Sequence, residues 1–196
     1  QRLDEAMRIV PLVTPELQAV ADARIKLIMR TDDATAAVRL VPEALAGDEG
    51  LTFERARWRR RAGDDAGAWE MLQRQPADGT HAGDWWLERQ ALMRQAFADG
   101  NVALAYRIAS SGTAPDSLGL AETQFFAGWL ALRHLGQTSD AAAHFEKLYA
   151  GVGAPVSRSR GAYWAGRAHE TAGDATEAAS WYEKAAAWPT TFYGQL

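Results

Sequence analysis

The chain has no cysteine. That excludes structural disulfides, thiolate metal sites and cysteine nucleophiles. Isoleucine is scarce, at four residues in 196, and runs alternating at a period of two are missing, which argues against a sheet. No apolar run approaches membrane-spanning length, so no membrane span is expected. No secretory leader is visible; the sequence opens at Gln1, so a leader would have been removed or lie outside it. Excess positive charge is also absent. Lys and Arg number 21 against 25 Asp and Glu, a net charge of −4, which argues against a nucleic-acid partner.

Catalytic and cofactor motifs are missing as well. His81, His134, His144 and His169 form no i, i+4 pair. His169-Glu170 begins an HExxH pattern, but Gly173 stands where the second histidine would be. The histidines therefore read as surface or packing residues, and no metal is expected. No nucleophile elbow, phosphate loop or dinucleotide fingerprint occurs, and no cofactor is expected. Acidic pairs such as Asp32-Asp33, Asp48-Glu49 and Asp64-Asp65 lie where turns are expected and read as helix caps.

What is present is helical patterning. Thr14-Pro15-Glu16 opens a helix to about Met29, with Thr14 as cap, proline in the first turn and an acid at the positive end of the dipole. A second helix begins near Asp33 and is interrupted around Pro42. Further helices are expected over 51–62, 65–75, 84–98, 101–110, 121–135 and 138–149, with Asp84 capping the third of these. Loops are expected over 76–83 and 111–119. In the last stretch, Ala175, Ala178, Ala179, Tyr182, Ala185 and Ala186 share one helical face, and Ala162, Ala165, Gly166 and His169 share another. Small residues on both faces predict a close antiparallel hairpin, stopped by Pro189.

The turns repeat. Gly63-Asp64, Gly100-Asn101, Gly136-Gln137 and Gly173-Asp174 are spaced by 37, 36 and 37 residues, with Thr31-Asp32 as a weaker first copy. Five positions after each turn start stands an alanine: Ala36, Ala68, Ala105, Ala141 and Ala178. Such a period predicts an all-α chain, an α-solenoid of tetratricopeptide-like (TPR-like) hairpins forming a curved superhelix. Residues 1–50 would hold N-terminal helices and a degenerate hairpin, continuous with stacked hairpins over 51–188.

The phrases AYWAGRAHETAGD and WYEKAAAWPTTFYGQL at the carboxyl end, with ERARWRRRAGD and WWLERQALMRQAFADGNVALAYRIAS upstream, resemble the helical region of soluble lytic murein transglycosylases. In that family a Pro-Thr-x-Phe-Tyr-Gly-like signature shortly precedes a lysozyme-like catalytic domain. The resemblance implies a periplasmic parent that cleaves the β-1,4 bond between N-acetylmuramic acid and N-acetylglucosamine, forming a 1,6-anhydro ring. It implies peptidoglycan glycan strands and the parent's own catalytic domain as partners. The family's catalytic glutamate is followed by serine, and no Glu-Ser pair occurs here. No catalytic residue is therefore carried over. Residues 189–196 are expected to begin the connection to the catalytic domain. The alternative, from another class, is a free-standing TPR-like scaffold for protein partners.

Two residue sets remain open between a packing and a binding role. Arg55, Arg57, Arg59, Arg60 and Arg61 form either a solvated face or a basic patch for anionic polymer. Trp85, Trp86, Trp129, Tyr163, Trp164, Trp181 and Tyr182 form either core or a platform for sugar rings. Candidate substrate-binding residues are Trp85, Trp86, Tyr163, Trp164, Arg59 and Arg60. Trp188, Phe192 and Tyr193 are candidates for docking the catalytic domain, because chain ends are seldom this aromatic.

Overall fold

The computed structural model describes residues 2–76 and 79–196. Among these residues there are eleven α-helices and no strand. The chain packs as two units, Gln1–Thr80 and His81–Leu196, each with its own core.

The first unit holds α1 (Arg2–Ile9), α2 (Pro15–Met29), α3 (Ala34–Arg39), α4 (Glu49–Arg61) and α5 (Asp65–Leu72). Its core is Val20, Ala23, Leu27, Ala34, Ala37 and Leu51. Leu51 of α4 belongs to this cluster, so the helices on either side of residue 50 share one interior. Pro15 opens α2 as expected, but Thr14 makes no side-chain cap bond. Its hydroxyl instead serves the Glu16 carboxylate, which the helix's own backbone N–H and that hydroxyl hold below the usual range. Helix α5 stops at Leu72, short of the expected Gln75. Residues 77 and 78 of the expected loop lie outside the described residues.

The second unit holds α6 (Ala82–Ala98), α7 (Val102–Ser110), α8 (Ser117–Leu130), α9 (Thr138–Gly151), α10 (Pro155–Ala172) and α11 (Ala175–Ala186). Each helix packs on the next in chain order. The core centres on Phe145 with Ala131, Ala141, Ala165 and Ala168, walled by Phe125 and Trp164. Helix α6 starts earlier than expected: His81 occupies the cap position at φ 52°, and Asp84 sits in the first turn. Asp116, inside the expected loop, caps α8 by accepting from the Gly119 N–H at 2.7 Å.

The repeated turns share one geometry. Gly63, Gly100, Gly136 and Gly173 take φ between 67° and 85°, the left-handed region that glycine enters without steric cost. The residue after each glycine occupies the cap position of the next helix, with φ between −83° and −90° and ψ between 67° and 80°. Its N–H also closes the preceding helix: Asp64 on the Arg59 carbonyl at 3.0 Å, Asn101 on Ala96 at 2.8 Å and Asp174 on His169 at 3.0 Å. This is the 6→1 bond of a Schellman ending. At Gly136 the bond runs one residue further, from Gln137 to Ala131, because residues 131–135 form a π-turn. Despite the bulge, Gly136 stays left-handed at φ 67° and Gln137 keeps the same cap dihedrals.

The alanine four positions after each cap is buried at Ala68, Ala105, Ala141 and Ala178. The first copy departs from the pattern. Ala36 is exposed, and Ala37 takes its place in the core. The reason lies in the turn: Arg30, not Thr31, enters the left-handed region at φ 60°, and Asp33 is the cap. Two extra residues between them shift the register by one.

Candidate functional site

The carboxyl end builds a pocket of about 490 Å³ between α10, α11 and a 3₁₀ turn at Phe192–Gly194. Tyr163, Arg167 and Glu170 stand at i, i+4 and i+7 on α10 and so share one face. Tyr182 reaches them from α11, and Tyr193 from the terminal turn. The Tyr163 ring lies 5.9 Å from Tyr182 and 5.5 Å from Tyr193, both tilted. Gly166 makes this possible, since a Cβ there would meet the Tyr182 ring at 2.7 Å.

The polar groups of the pocket are joined. Arg167 Nη1 donates to the Tyr163 hydroxyl at 3.3 Å. Its Nε lies 3.1 Å from Glu170 Oε2, an ion pair without hydrogen-bond alignment. Tyr182 donates its hydroxyl to the same oxygen at 2.9 Å. Partial burial and then the Glu170 carboxylate push the Tyr182 phenol up to about 12. A phenol raised above its unfolded value of about 10 contributes stability below that pH and loses it as pH rises through 12. Spectrophotometric titration at the tyrosinate band, compared with Tyr182→Phe, should show one phenol ionising last. A normal titration for this ring would contradict the Tyr182–Glu170 bond.

The segment behind the pocket is anchored from below. Helix α11 ends at Ala186 and Pro189 follows two residues past its cap, Ala187. Thr191 is 5% exposed, and its hydroxyl lies 2.8 Å from Ser159 Oγ, itself fully buried on α10. The Gly194 N–H donates back to Thr191 Oγ1 at 3.1 Å. A Cβ on Gly194 would stand 2.0 Å from the Trp188 carbonyl oxygen. Threonine and glycine of the terminal signature thus have distinct structural duties. Phe192 and Leu196 are 69% and 68% exposed, while Trp188 and Tyr193 are half-buried. Arg158 lies over the Trp188 ring at 5.9 Å.

The other expected substrate-binding residues fall elsewhere. Trp85 is 1% exposed and belongs to the core, so it offers no face to a sugar. Trp86 is half-buried and donates from Nε1 to Thr123 Oγ1 at 3.0 Å, tying α6 to α8. Trp164 packs on Phe125 and Phe145, with ring centroids 6.0 and 5.8 Å away. Its indole N–H is buried without an acceptor among the described residues, and an unmet buried donor costs about 1–3 kcal/mol. Trp164→Phe should therefore lose less than about 1.5 kcal/mol, because removing the orphan donor offsets lost contact. Chemical denaturation measures this, and a larger loss would mean that the N–H has a partner. Arg59 and Arg60 are half-buried in the first unit. Arg59 donates to the Gly67 carbonyl at 3.1 Å and lies 3.8 Å from both Asp64 and Glu70, binding α4 to α5.

Comparison of the chain with protein-family models, curated proteins and solved structures gives no match. The site therefore stands on its own geometry. Of the expected residues, Tyr163 and Tyr193 meet in one pocket with Tyr182 of the open aromatic set; Arg167 and Glu170, not among the expected binding residues, complete it. Their i, i+4, i+7 register with Tyr163 is the signal that marks them. The lining offers ring faces and hydrogen-bonding rims, suited to binding; Arg167 and the Tyr182 hydroxyl both occupy Glu170 Oε2.

Proposed function

We propose that this chain is a non-catalytic helical scaffold, an α-solenoid of TPR-like hairpins belonging to a soluble lytic transglycosylase. The whole protein would cleave the MurNAc–GlcNAc bond of periplasmic peptidoglycan and form the 1,6-anhydro product. The scaffold would supply shape and domain docking. The observation that carries this reading is the Pro189–Leu196 segment. The residues that carry the family resemblance fold as one anchored turn, with Thr191 and Gly194 turned inward and Phe192 and Leu196 outward. An exposed aromatic residue on an anchored turn, with an exposed leucine just past it, suits a surface that receives further structure. The 36–37-residue spacing of the four glycine turns supports stacked hairpins, but it suits a free-standing TPR-like adaptor equally.

The test is the coding sequence beyond Leu196 together with one substitution. A Glu-Ser-bearing lysozyme-like domain is expected within about one domain length; a stop codon there favours the adaptor. In the full-length protein, Phe192→Ala should reduce release of anhydro-muropeptides from sacculi. In the present chain it should change stability by less than about 0.5 kcal/mol, as for an exposed side chain. The isolated chain should release none.

A further inference from the structure

We propose that the pocket walled by α2, α3 and α4 in the first unit binds a carboxylate carried on a short apolar group, as at the end of a peptide chain. The cavity is about 230 Å³, smaller than the roughly 300–1,000 Å³ of sites for drug-sized ligands. It suits one or two residues rather than a folded partner. Its apolar lining is Leu27, Val38 and Trp58; its charged lining is Arg39, Arg55 and Arg59, and no acidic side chain among the described residues lines it.

The three arginines differ in what already satisfies them. Arg59 is committed to the Gly67 carbonyl and to Asp64 and Glu70. Glu70 is drawn away in turn by Arg74, at 3.0 Å. Arg55 and Arg39 make no hydrogen bond or ion pair among the described residues. Arg55 is half-buried beside Arg59 and Arg74. Its burial, then those two neighbouring cations, depress its guanidinium, and only Glu70 opposes them. A desolvated cation among like charges is a standing deficit that a bound anion relieves. Guanidinium forks match carboxylates in bidentate geometry. The apolar floor decides between anions, because a bare phosphate would leave Leu27, Val38 and Trp58 unused. The inference stands independently of the transglycosylase reading. A protein's L-residue terminus and a cell-wall peptide's D-residue stem present the same chemistry.

Isothermal titration calorimetry on the whole chain tests it, with N-acetyl-L-alanyl-L-alanine, its D,D isomer, the corresponding C-terminal amides, and inorganic phosphate. One-to-one saturable binding of at least one acid is expected, with its amide at least about ten-fold weaker. Preference between the L,L and D,D acids then assigns the source. Arg55→Gln and Arg39→Gln should each weaken the acid by about ten-fold or more, and Arg55→Lys by less, since lysine keeps the charge and loses the fork. Circular dichroism of each variant checks that α2, α3 and α4 persist. Arg55→Gln should fold at least as well, because it removes a repelled charge. The proposal is overturned by amides binding as well as acids, by phosphate matching the acids, by undiminished binding to both folded glutamine variants, or by no saturable binding.

Discussion

Phe145→Ala should destabilise the second unit by about 3–5 kcal/mol. Phe145 is fully buried in α9 and lies at the meeting point of three helices. Its ring stands 6.2 Å from Phe125 and 5.8 Å from Trp164. On its other side is Gly128 of α8, where even a Cβ would approach the ring to 2.7 Å. Alanines 131, 141, 165 and 168 complete the shell. The alanines cannot reach into the vacated space, and Phe125 and Trp164 are held against each other, so most of the cavity stays open. Urea unfolding, with the midpoint and slope fitted separately, reads the change. A loss below about 1.5 kcal/mol would mean that the shell collapses and that the helices are less fixed than the packing implies.

Gly194→Val should detach the carboxyl-terminal turn. The new Cβ would sit 2.0 Å from the Trp188 carbonyl oxygen, 2.7 Å from its carbon and 3.0 Å from the Ala185 oxygen. All three are backbone atoms, so no rotamer change relieves the contact. Relief requires the turn to lift, which breaks the buried Thr191–Ser159 bond and leaves Ser159 Oγ with the Val156 carbonyl alone. A broken buried hydrogen bond plus backbone strain amounts to about 2–4 kcal/mol locally. Amide hydrogen exchange of residues 191–195 and proteolysis near Pro189 are the direct readouts. Unchanged protection would show that the segment tolerates a side chain at Gly194 and that its glycine has no steric duty. Under the proposed function the same substitution should also reduce lytic activity of the full-length protein, because the surface around Phe192 would lose its fixed position.

The sequence by itself determined the helical class and the four glycine turns. Both are local: a glycine between two apolar-periodic segments closes one helix through its own backbone, and the next residue opens the other. The alanines at 68, 105, 141 and 178 were legible for the same reason, since their distance from the cap is set by helix geometry. The same logic failed at Ala36, where a non-glycine residue, Arg30, entered the left-handed region and two extra residues moved the register. Nothing in the local pattern marks that shift. The roles of the aromatic residues were decided only by the tertiary structure. Trp85 and Trp86 are adjacent, yet one is enclosed and the other bonds Thr123 thirty-seven residues away. Tyr163, Tyr182 and Tyr193 meet because Gly166 lets α11 come close and because Thr191 finds Ser159. Arg55 and Arg39, on different helices, line one pocket only because α3 and α4 both pack on α2. Such convergence depends on contacts between residues far apart in the chain, and helical periodicity carries information about which face a residue occupies but none about which other face it meets.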